Sequence, residues 1–249
     1  MLTVLKLPFA FDTARLKADL AQIEPSDWVP HFNTQEFEGD WSVVPLRSID
    51  GKARFIYPDP TASLGRFLDT RVLERCPYFR AVMDTFEMPK RSVRLLRLGT
   101  GSRILEHRDY CLGFEDGEVR IHIPVVTSPL VEFYSSGERV EMREGEAWYV
   151  NFNLPHRLYN GAGIDRVHLV IDGPVNDWVR TMFYTLNFEQ FRMRVLEESA
   201  MDAGAPHADT FAADLVTKGS ELGYTFGAEQ VQRALGLAPQ ADAAGCEGV

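Results

Sequence analysis

The segment Glu118-Val-Arg-Ile-His-Ile-Pro124 alternates strictly between apolar and polar side chains before its final proline. A period of two is typical of a β-strand, in which successive side chains point to opposite faces of the sheet. The apolar residues therefore share one face, and Arg120 and His122 share the other. This polar face could line a binding pocket or face solvent, and the alternation alone does not decide between these two interpretations.

Short strand-like segments recur on both sides of this one, and the joints between them carry glycine, as in Ser136-Gly137 and Glu144-Gly145. Many short strands separated by turn signals indicate a sandwich or a barrel. We therefore predict a mainly β fold with flanking helices, built on a double-stranded β-helix (jelly-roll, cupin-like) core. The predicted strands cover residues 41–46, 93–98, 103–110, 118–126, 131–134, 139–142, 147–151 and 166–171.

The domain boundary is predicted at Gly173-Pro174, because this pair is a natural break between a strand and a helix. Residues 1–173 should form the jelly-roll domain, with N-terminal helices. The pattern then turns helical and predicts a C-terminal helical unit over residues 174–236, a candidate surface for forming a homo-oligomer. Residues 237–249 are rich in alanine and glycine and are predicted to be disordered.

The triplet His107-Arg-Asp109 carries the candidate metal site. Side chains two residues apart in a strand point to the same face, so both can reach one ion. A second histidine, His156, is expected at the end of a strand that begins near Trp148. A His-x-Asp triplet alone is weak evidence, but two imidazoles with one carboxylate are typical of non-haem Fe(II) oxygenases. We predict that His107, Asp109 and His156 bind Fe(II) and form the catalytic centre.

Arg166 provides a partner for a cosubstrate. If the segments flanking Gly161-Ala162-Gly163 form an antiparallel hairpin, then Arg166 lies close to His156 across it. A guanidinium there can bind the distal carboxylate of 2-oxoglutarate through both oxygens. The metal triad and this arginine together predict 2-oxoglutarate as the cosubstrate. His168, two residues further along the same face, is expected to be a structural histidine.

Five segments in this order and spacing resemble the aspartyl/asparaginyl β-hydroxylase family of Fe(II)/2-oxoglutarate-dependent oxygenases, which also includes bacterial proline hydroxylases. They are His107-Arg-Asp109, Arg120-Ile-His-Ile-Pro124, Gly145-Glu-Ala-Trp148, Leu154-Pro-His156 and Arg166-Val-His-Leu-Val-Ile-Asp172. The resemblance implies a jelly roll that uses Fe(II), 2-oxoglutarate and O₂. It implies that Arg166 holds the cosubstrate, and that Arg120 and His122 also contact it. The implied reaction hydroxylates an amino acid, either free or as an Asp/Asn-type residue of a peptide or protein.

Two other functions remain open at this stage. One is a cupin-type metalloenzyme that uses no 2-oxoglutarate, which has no need for Arg166. The other is a non-catalytic module that binds a metal or a small molecule, which has no need for a complete triad. The substrate site could include four further residues: Trp41, Arg47, Arg54 and Tyr110.

The charge and composition of the chain disfavour nucleic acid and membranes as partners. The formal net charge of −10 disfavours binding to nucleic acid, because an acidic surface repels phosphates. No apolar run approaches the length of a membrane span, and no signal-peptide pattern is visible. The three cysteines show no disulfide or zinc spacing, so we predict a cytoplasmic location. The segments Asn187-Phe-Glu-Gln-Phe191 and Glu221–Glu229 resemble a Nif11-type leader-peptide module.

Overall fold

The computed structural model describes residues 2–54, 66–201, 215–217 and 219–220. This part of the chain contains thirteen strands and three α-helices up to residue 201, and residues 215–217 and 219–220 are also helical. The strands are β1 (Val4–Ala10), β2 (Val29–Pro30), β3 (Phe37–Glu38), β4 (Trp41–Ile49), β5 (Phe67–Asp69), β6 (Val93–Leu98), β7 (Arg103–His107), β8 (Glu118–Val126), β9 (Val131–Ser135), β10 (Glu138–Arg139), β11 (Glu146–Val150), β12 (His156–Asn160) and β13 (Arg166–Pro174). The helices are α1 (Thr13–Leu20), α2 (Pro77–Thr85) and α3 (Asp177–Met201).

The strands form two sheets in which neighbouring strands are antiparallel. The larger sheet has eight strands: seven in the order β1-β11-β8-β13-β6-β4-β2, and β5, which also pairs with β4. The smaller sheet has five strands in the order β10-β9-β12-β7-β3. This is the arrangement of a jelly roll, so the predicted fold class is confirmed.

Strand β8 is buried on both faces, although its sequence alternates between apolar and polar residues. Its apolar face carries Val119, Ile121 and Ile123, all fully buried, and α1 packs against this strand. Its polar face carries Arg120 and His122, which are only 8 % and 4 % exposed. Since charged and polar groups are rarely buried without partners, this face must supply partners or a ligand.

The joint at Ser136-Gly137 forms the hairpin between β9 and β10 as the sequence predicts. Both residues have positive φ, at 52° and 82°. This pair of conformations matches the twist of an antiparallel hairpin, and glycine adopts it without steric cost. The hairpin places β9 beside β12, which carries one of the predicted metal ligands.

Three details differ from the sequence-based expectations. Strand β1 has no counterpart in the predictions, and it pairs with β11 far along the chain. Strand β7 ends at His107 instead of extending to residue 110. His156 does not end a strand that begins near Trp148, since β11 ends at Val150 and His156 is the first residue of β12. That prediction was wrong because a turn separates the two strands, where Leu154 N–H donates to the Asn151 carbonyl at 3.2 Å.

Residues 2–183 form one compact unit, and residues 184–249 belong to a second. Within the first unit, the start of α3 buries Val179 and Phe183, and the Phe183 ring stacks on Phe114 with centroids 5.3 Å apart. The predicted unit over residues 174–236 stays a prediction, as does an oligomer formed through it. The predicted tail and the segment Glu221–Glu229 of the leader-like module lie outside the described residues.

None of the described helices is long and apolar enough to cross a membrane. The predicted cytoplasmic location and the predicted absence of nucleic-acid binding stay predictions.

Candidate metal centre and its cavity

The two predicted histidine ligands lie side by side in the smaller sheet. His107, the last residue of β7, is the cross-strand partner of His156, the first residue of β12, and their ring centroids are 4.3 Å apart. Asp109 follows β7 directly, and its backbone N–H donates to the Phe152 carbonyl at 2.9 Å. One ligand atom from each of the three residues lies within 4.8 Å of the others. These side chains can therefore hold one metal ion together.

The tautomers of both histidines are fixed by the backbone. His107 Nδ1 lies 2.8 Å from the Leu105 carbonyl, and His156 Nδ1 lies 3.0 Å from the Leu154 carbonyl. A carbonyl only accepts hydrogen bonds, so each Nδ1 carries a proton, and Nε2 is the atom of each ring that can bind a metal. Burial also lowers the pKa of His156 to about 4. Neutral imidazoles oriented in this way are typical of metal ligands.

The carboxylate of Asp109 is oriented by Arg120. Arg120 Nη1 donates to Asp109 Oδ2 at 2.7 Å, while Asp109 Oδ1 lies 3.8 Å from His107 Nε2. Arg120 is held in turn by Asp172, since its Nε and Nη2 donate to the two carboxylate oxygens at 2.8 and 3.1 Å. Burial alone would lower the pKa of Arg120, but Asp172 and Asp109 outweigh it and raise this pKa above its ordinary value. Arg120 therefore remains a cation that positions the carboxylate of Asp109, a candidate metal ligand.

Asp172 serves a second buried arginine. Arg94 Nη2 lies 3.0 Å from Asp172 Oδ2, and Arg94 Nη1 donates to Ser92 Oγ at 2.7 Å. Burial tends to raise the pKa of Asp172, but Arg120 and Arg94 together lower it below its ordinary value. One ionised carboxylate is thus shared between two guanidiniums, and Arg94 has no other carboxylate partner among the described residues.

Arg166 differs from the other buried arginines because none of the described residues offers it a carboxylate within ion-pair distance. Its side chain is 3 % exposed, its Nη2 donates to His168 Nδ1 at 2.8 Å, and its Nε has no hydrogen-bond partner among the described residues. Burial lowers the pKa of Arg166 to about 9. An uncompensated buried cation is costly, so this position favours an anionic ligand.

All of these groups open into one cavity of about 360 Å³. Residues from both sheets line it, among them His107, Asp109, His156, Arg94, Arg120, His122 and Arg166. Trp41 forms part of the wall, and the His31 ring stacks on it with centroids 3.5 Å apart. Burial, assisted by Arg94, lowers the pKa of His31 to about 3, so this ring is neutral. The lining combines three buried guanidiniums, those of Arg94, Arg120 and Arg166, with the candidate metal site, which suits small anionic ligands.

The family model of aspartyl/asparaginyl β-hydroxylases matches residues 11–174. The chain belongs to this family. The matched range includes all six predicted site residues and ends where β13 ends.

This chain is similar in sequence to curated proteins that are named as L-proline hydroxylases. The chain is 27 % identical to the L-proline cis-4-hydroxylase of Rhizobium meliloti (strain 1021) over 166 residues, which cover 65 % of this chain and 57 % of that protein. It is 28 % identical to an L-proline cis-3-hydroxylase of a Streptomyces species over 166 residues, covering 65 % and 56 %. The chain thus spans little more than half the length of these relatives.

Solved structures with a similar arrangement of elements include two proteins. One is a prolyl-4-hydroxylase of Pseudomonas putida, with 13 % identity, coverage of 70 % of this chain and 93 % of that chain, and a TM-score of 0.44. The other is HygX of Streptomyces hygroscopicus with nickel and 2-oxoglutarate bound, with 14 % identity, coverage of 69 % and 83 %, and a TM-score of 0.43.

The structure brings the six predicted site residues into one cavity, but the predicted route to Arg166 was wrong. His156 and Arg166 do not face each other across a hairpin, because β12 pairs with β7 and β9 whereas β13 lies in the larger sheet. The segment around Gly161 therefore crosses from one sheet to the other. Arg166 reaches the cavity from the sheet opposite to the metal ligands.

Two of the four residues suggested for the substrate site, Trp41 and Tyr110, line the cavity, whereas Arg47 and Arg54 do not. Arg47 instead pairs with Asp69 at 2.6 Å and donates to the Lys90 carbonyl at 3.1 Å. Arg47 and Asp69 are direct cross-strand partners on β4 and β5, which places the carboxylate beside the guanidinium.

The roles of Arg94, Asp172 and His31 are not predicted from the sequence. Arg94 lies on the same face of β6 as Leu96 and Leu98. An arginine on an otherwise apolar strand face was the signal that could have indicated a buried charge. Asp172 lies on the same face of β13 as Arg166, because the two residues are an even number of positions apart. His31 lies outside the regular strands, and its sequence context gives no signal.

Proposed function

We propose that this protein is an Fe(II)/2-oxoglutarate-dependent oxygenase that hydroxylates a free amino acid. One observation carries the proposal. Two histidines with Nε2 lone pairs and one carboxylate share a cavity with Arg166, a buried cation that has no carboxylate partner among the described residues. The metal triad and the anion site are thus parts of one binding chamber.

The donor set fits Fe(II). Two neutral imidazoles and one carboxylate are typical of non-haem iron oxygenases, in which the remaining coordination positions stay open to other ligands. With Fe(II), 2-oxoglutarate and O₂ bound, the metal and cosubstrate would supply the oxidising chemistry. The protein fixes the ligands: the backbone orients His107 and His156, and Arg120 orients Asp109. Outer partners of this kind raise metal affinity and fix the coordination geometry.

The unbalanced cation is matched by the distal carboxylate of 2-oxoglutarate. The fork of Arg166 can donate two parallel hydrogen bonds to a carboxylate, and the site is poorly solvated. His122 lines the same cavity, and its Nε2 has no partner among the described residues. Burial, assisted by Arg166 and Arg120, lowers the pKa of His122 well below its ordinary value, so it contributes no further charge.

The charge balance favours a substrate with a free carboxylate. Arg120 pairs with both Asp109 and Asp172, whereas Arg94 has only the carboxylate that it shares with Arg120. If Arg166 binds the distal carboxylate of 2-oxoglutarate, then Arg94 is the buried guanidinium of the cavity whose charge is least compensated. A free amino acid brings a carboxylate to Arg94, and a residue in the interior of a peptide has none on its backbone.

Position and size support the same substrate class. Arg94 lines the cavity and shares its only described carboxylate partner with Arg120, so it is the cation available for a substrate carboxylate. Glu36 also lines the cavity, 3.7 Å from His107 Nε2, and can accept a hydrogen bond from a substrate ammonium group. The volume of about 360 Å³ lies at the small end of the range for ligand pockets, roughly 300–1,000 Å³. The names of the curated relatives, which are L-proline hydroxylases, support a free amino acid.

The test is a reconstitution with Fe(II) and ascorbate under air. We expect 2-oxoglutarate to be converted to succinate, and an added amino acid to gain the mass of one oxygen atom. A screen of free amino acids and of the same residues within blocked peptides separates the two substrate forms. Consumption of O₂ without 2-oxoglutarate would favour a cupin-type metalloenzyme. Metal binding without any turnover would favour a binding module.

A further inference from the structure

The contact between Arg166 and His168 places an imidazole where an ion pair would be expected. The two residues are two positions apart on β13, so their side chains lie on the same face of the sheet. Arg166 Nη2 lies 2.8 Å from His168 Nδ1, and both side chains are almost completely buried. Sequence analysis assigns His168 only a structural role.

The chemistry of the contact fixes the state of His168. A guanidinium only donates hydrogen bonds, so His168 Nδ1 must accept and its proton must be on Nε2. Burial, followed by the charge of Arg166, lowers the pKa of His168 well below its ordinary value. The neighbouring His122, whose Nδ1 lies 3.4 Å from His168 Nδ1, is neutral for the same reasons. His168 is therefore a neutral acceptor near neutral pH.

A neutral hydrogen-bond acceptor at position 168 orients Arg166 without neutralising its charge, which neither a carboxylate nor an aliphatic side chain could do. A carboxylate at position 168 would neutralise Arg166 and compete with an anionic ligand for its hydrogen bonds. An aliphatic side chain would leave Nη2 without a partner and leave the guanidinium free to rotate. The imidazole orients the guanidinium of Arg166 through Nη2. The guanidinium keeps its full charge, and its Nε has no partner in the described chain.

We propose that His168 is a positioning residue that orients Arg166 and thereby sets the length of the 2-oxo dicarboxylate that the cavity accepts. This inference rests on the proposed function. The metal ligands belong to the smaller sheet and Arg166 to the larger one, so the cosubstrate must span the cavity between two fixed ends. If the guanidinium is fixed in place, only one chain length joins the metal to it. If it can rotate, a dicarboxylate longer by one methylene is accepted as well.

The experiment compares His168→Leu with His168→Gln in the full-length, metal-loaded protein. For His168→Leu we expect the KM for 2-oxoglutarate to rise roughly tenfold, the effect of losing one hydrogen bond of a charged donor, with kcat at saturation nearly unchanged. We also expect its preference for 2-oxoglutarate over 2-oxoadipate to shrink by a similar factor. His168→Gln keeps a neutral acceptor and should recover most of both. A merely structural role would lower stability and leave the ratio of the two cosubstrates unchanged.

The outcomes separate this inference from the proposed function. Direct calorimetric binding of 2-oxoglutarate to the Ni(II)-loaded wild-type protein tests the proposed function. If that protein binds none, both ideas are overturned. If it binds, and His168→Leu has the wild-type KM and the wild-type length preference, then only the role of His168 is overturned. If His168→Leu does not fold, His168→Asn takes its place, because the shorter amide should not reach Nη2 and should show the same loss of selectivity.

Discussion

His107 and His156 are direct cross-strand partners, and this pairing builds the metal site. The next pair along the two strands is Leu158 with Ile104, so β7 contains one more residue than β12 between the two pairs. Such a β-bulge re-aims a side chain and is common beside active sites. A slip of β12 by one residue would turn His156 to the opposite face of the sheet. The site therefore depends on strand register as well as on ligand identity.

The first prediction concerns the ligands. We expect His107→Ala, Asp109→Ala and His156→Ala each to weaken metal binding by more than the roughly 10–100-fold that loss of an outer partner costs. Titration with Co(II), followed by its visible absorption, measures the affinity, and circular dichroism shows that each variant is folded. Glu106→Ala is the matched control, because Glu106 is exposed and adjacent to His107 in the sequence. A variant of the triad that binds Co(II) like the wild type removes that residue from the ligand set.

The second prediction concerns the cosubstrate. Arg166→Ala should raise the 2-oxoglutarate requirement by roughly two decades or more, because truncating one partner of a buried charged pair costs about 2–5 kcal/mol. Metal affinity should change little, since Arg166 lies in the sheet opposite to the ligands. The exposed Arg103, which pairs with Glu38, provides the control variant Arg103→Ala. An unchanged titration with 2-oxoglutarate would show that another residue holds its distal carboxylate.

The third prediction separates the substrate from the cosubstrate. Arg94→Met removes the cation assigned to the substrate carboxylate and keeps a side chain of similar length. We expect the KM for the amino acid to rise by roughly two decades, again from the loss of a buried charged partner. The titration with 2-oxoglutarate in the absence of substrate should stay close to that of the wild type. If the substrate KM is unchanged, then the charge argument for a free carboxylate is wrong.

Local patterns in the sequence predict some elements accurately. The bounds of β8 and of β6 match their predicted ranges, because turn-like residues mark an end of each run: Asp116-Gly117 precedes β8 and Gly99-Thr100-Gly101 follows β6. The His107 and Asp109 pair is equally local, since two residues of spacing are enough to bring both to one ion. These features need no information about distant segments of the chain.

The remaining features depend on contacts between distant segments. The sheet assignment of β13 determines how Arg166 reaches the cavity, and the sequence around Gly161 permits either a hairpin or a crossing between sheets. The role of Asp172 depends on Arg94 and Arg120, which come from the two strands that flank β13. A pattern read along one strand does not reveal such neighbours.

The fourth prediction concerns acid stability. Since its two arginines hold the pKa of Asp172 below the ordinary value of 3.8, its contribution to stability is present above about pH 4 and is lost as pH falls through the folded-state pKa. Asp172→Asn should lower the free energy of unfolding near neutral pH by about 3–5 kcal/mol, because two buried guanidiniums lose their shared carboxylate. It should also weaken the fall in stability below about pH 4.

Urea denaturation of the metal-free protein between pH 3 and pH 7 measures this effect. Asp165→Asn is a suitable control, because Asp165 is half exposed and lies 3.9 Å from Arg97. An Asp172→Asn variant as stable as the wild type at neutral pH would show that the cluster of Arg94, Arg120 and Asp172 contributes no net stability.

The last prediction concerns the C-terminal residues. Every proposed ligand lies before Pro174, and the first turns of α3 already bury Val179 and Phe183 within the unit that holds the site. Deleting residues 221–249 leaves all of these groups in place. We therefore expect the truncated protein to bind Co(II) and 2-oxoglutarate with affinities close to those of the full chain. A deletion that begins at residue 175 should instead aggregate, because it removes Phe183 from its contacts with Phe114 and Tyr149. Loss of metal binding in the shorter deletion would show that the terminal segment belongs to the catalytic core, and that the boundary after residue 173 is not a functional one.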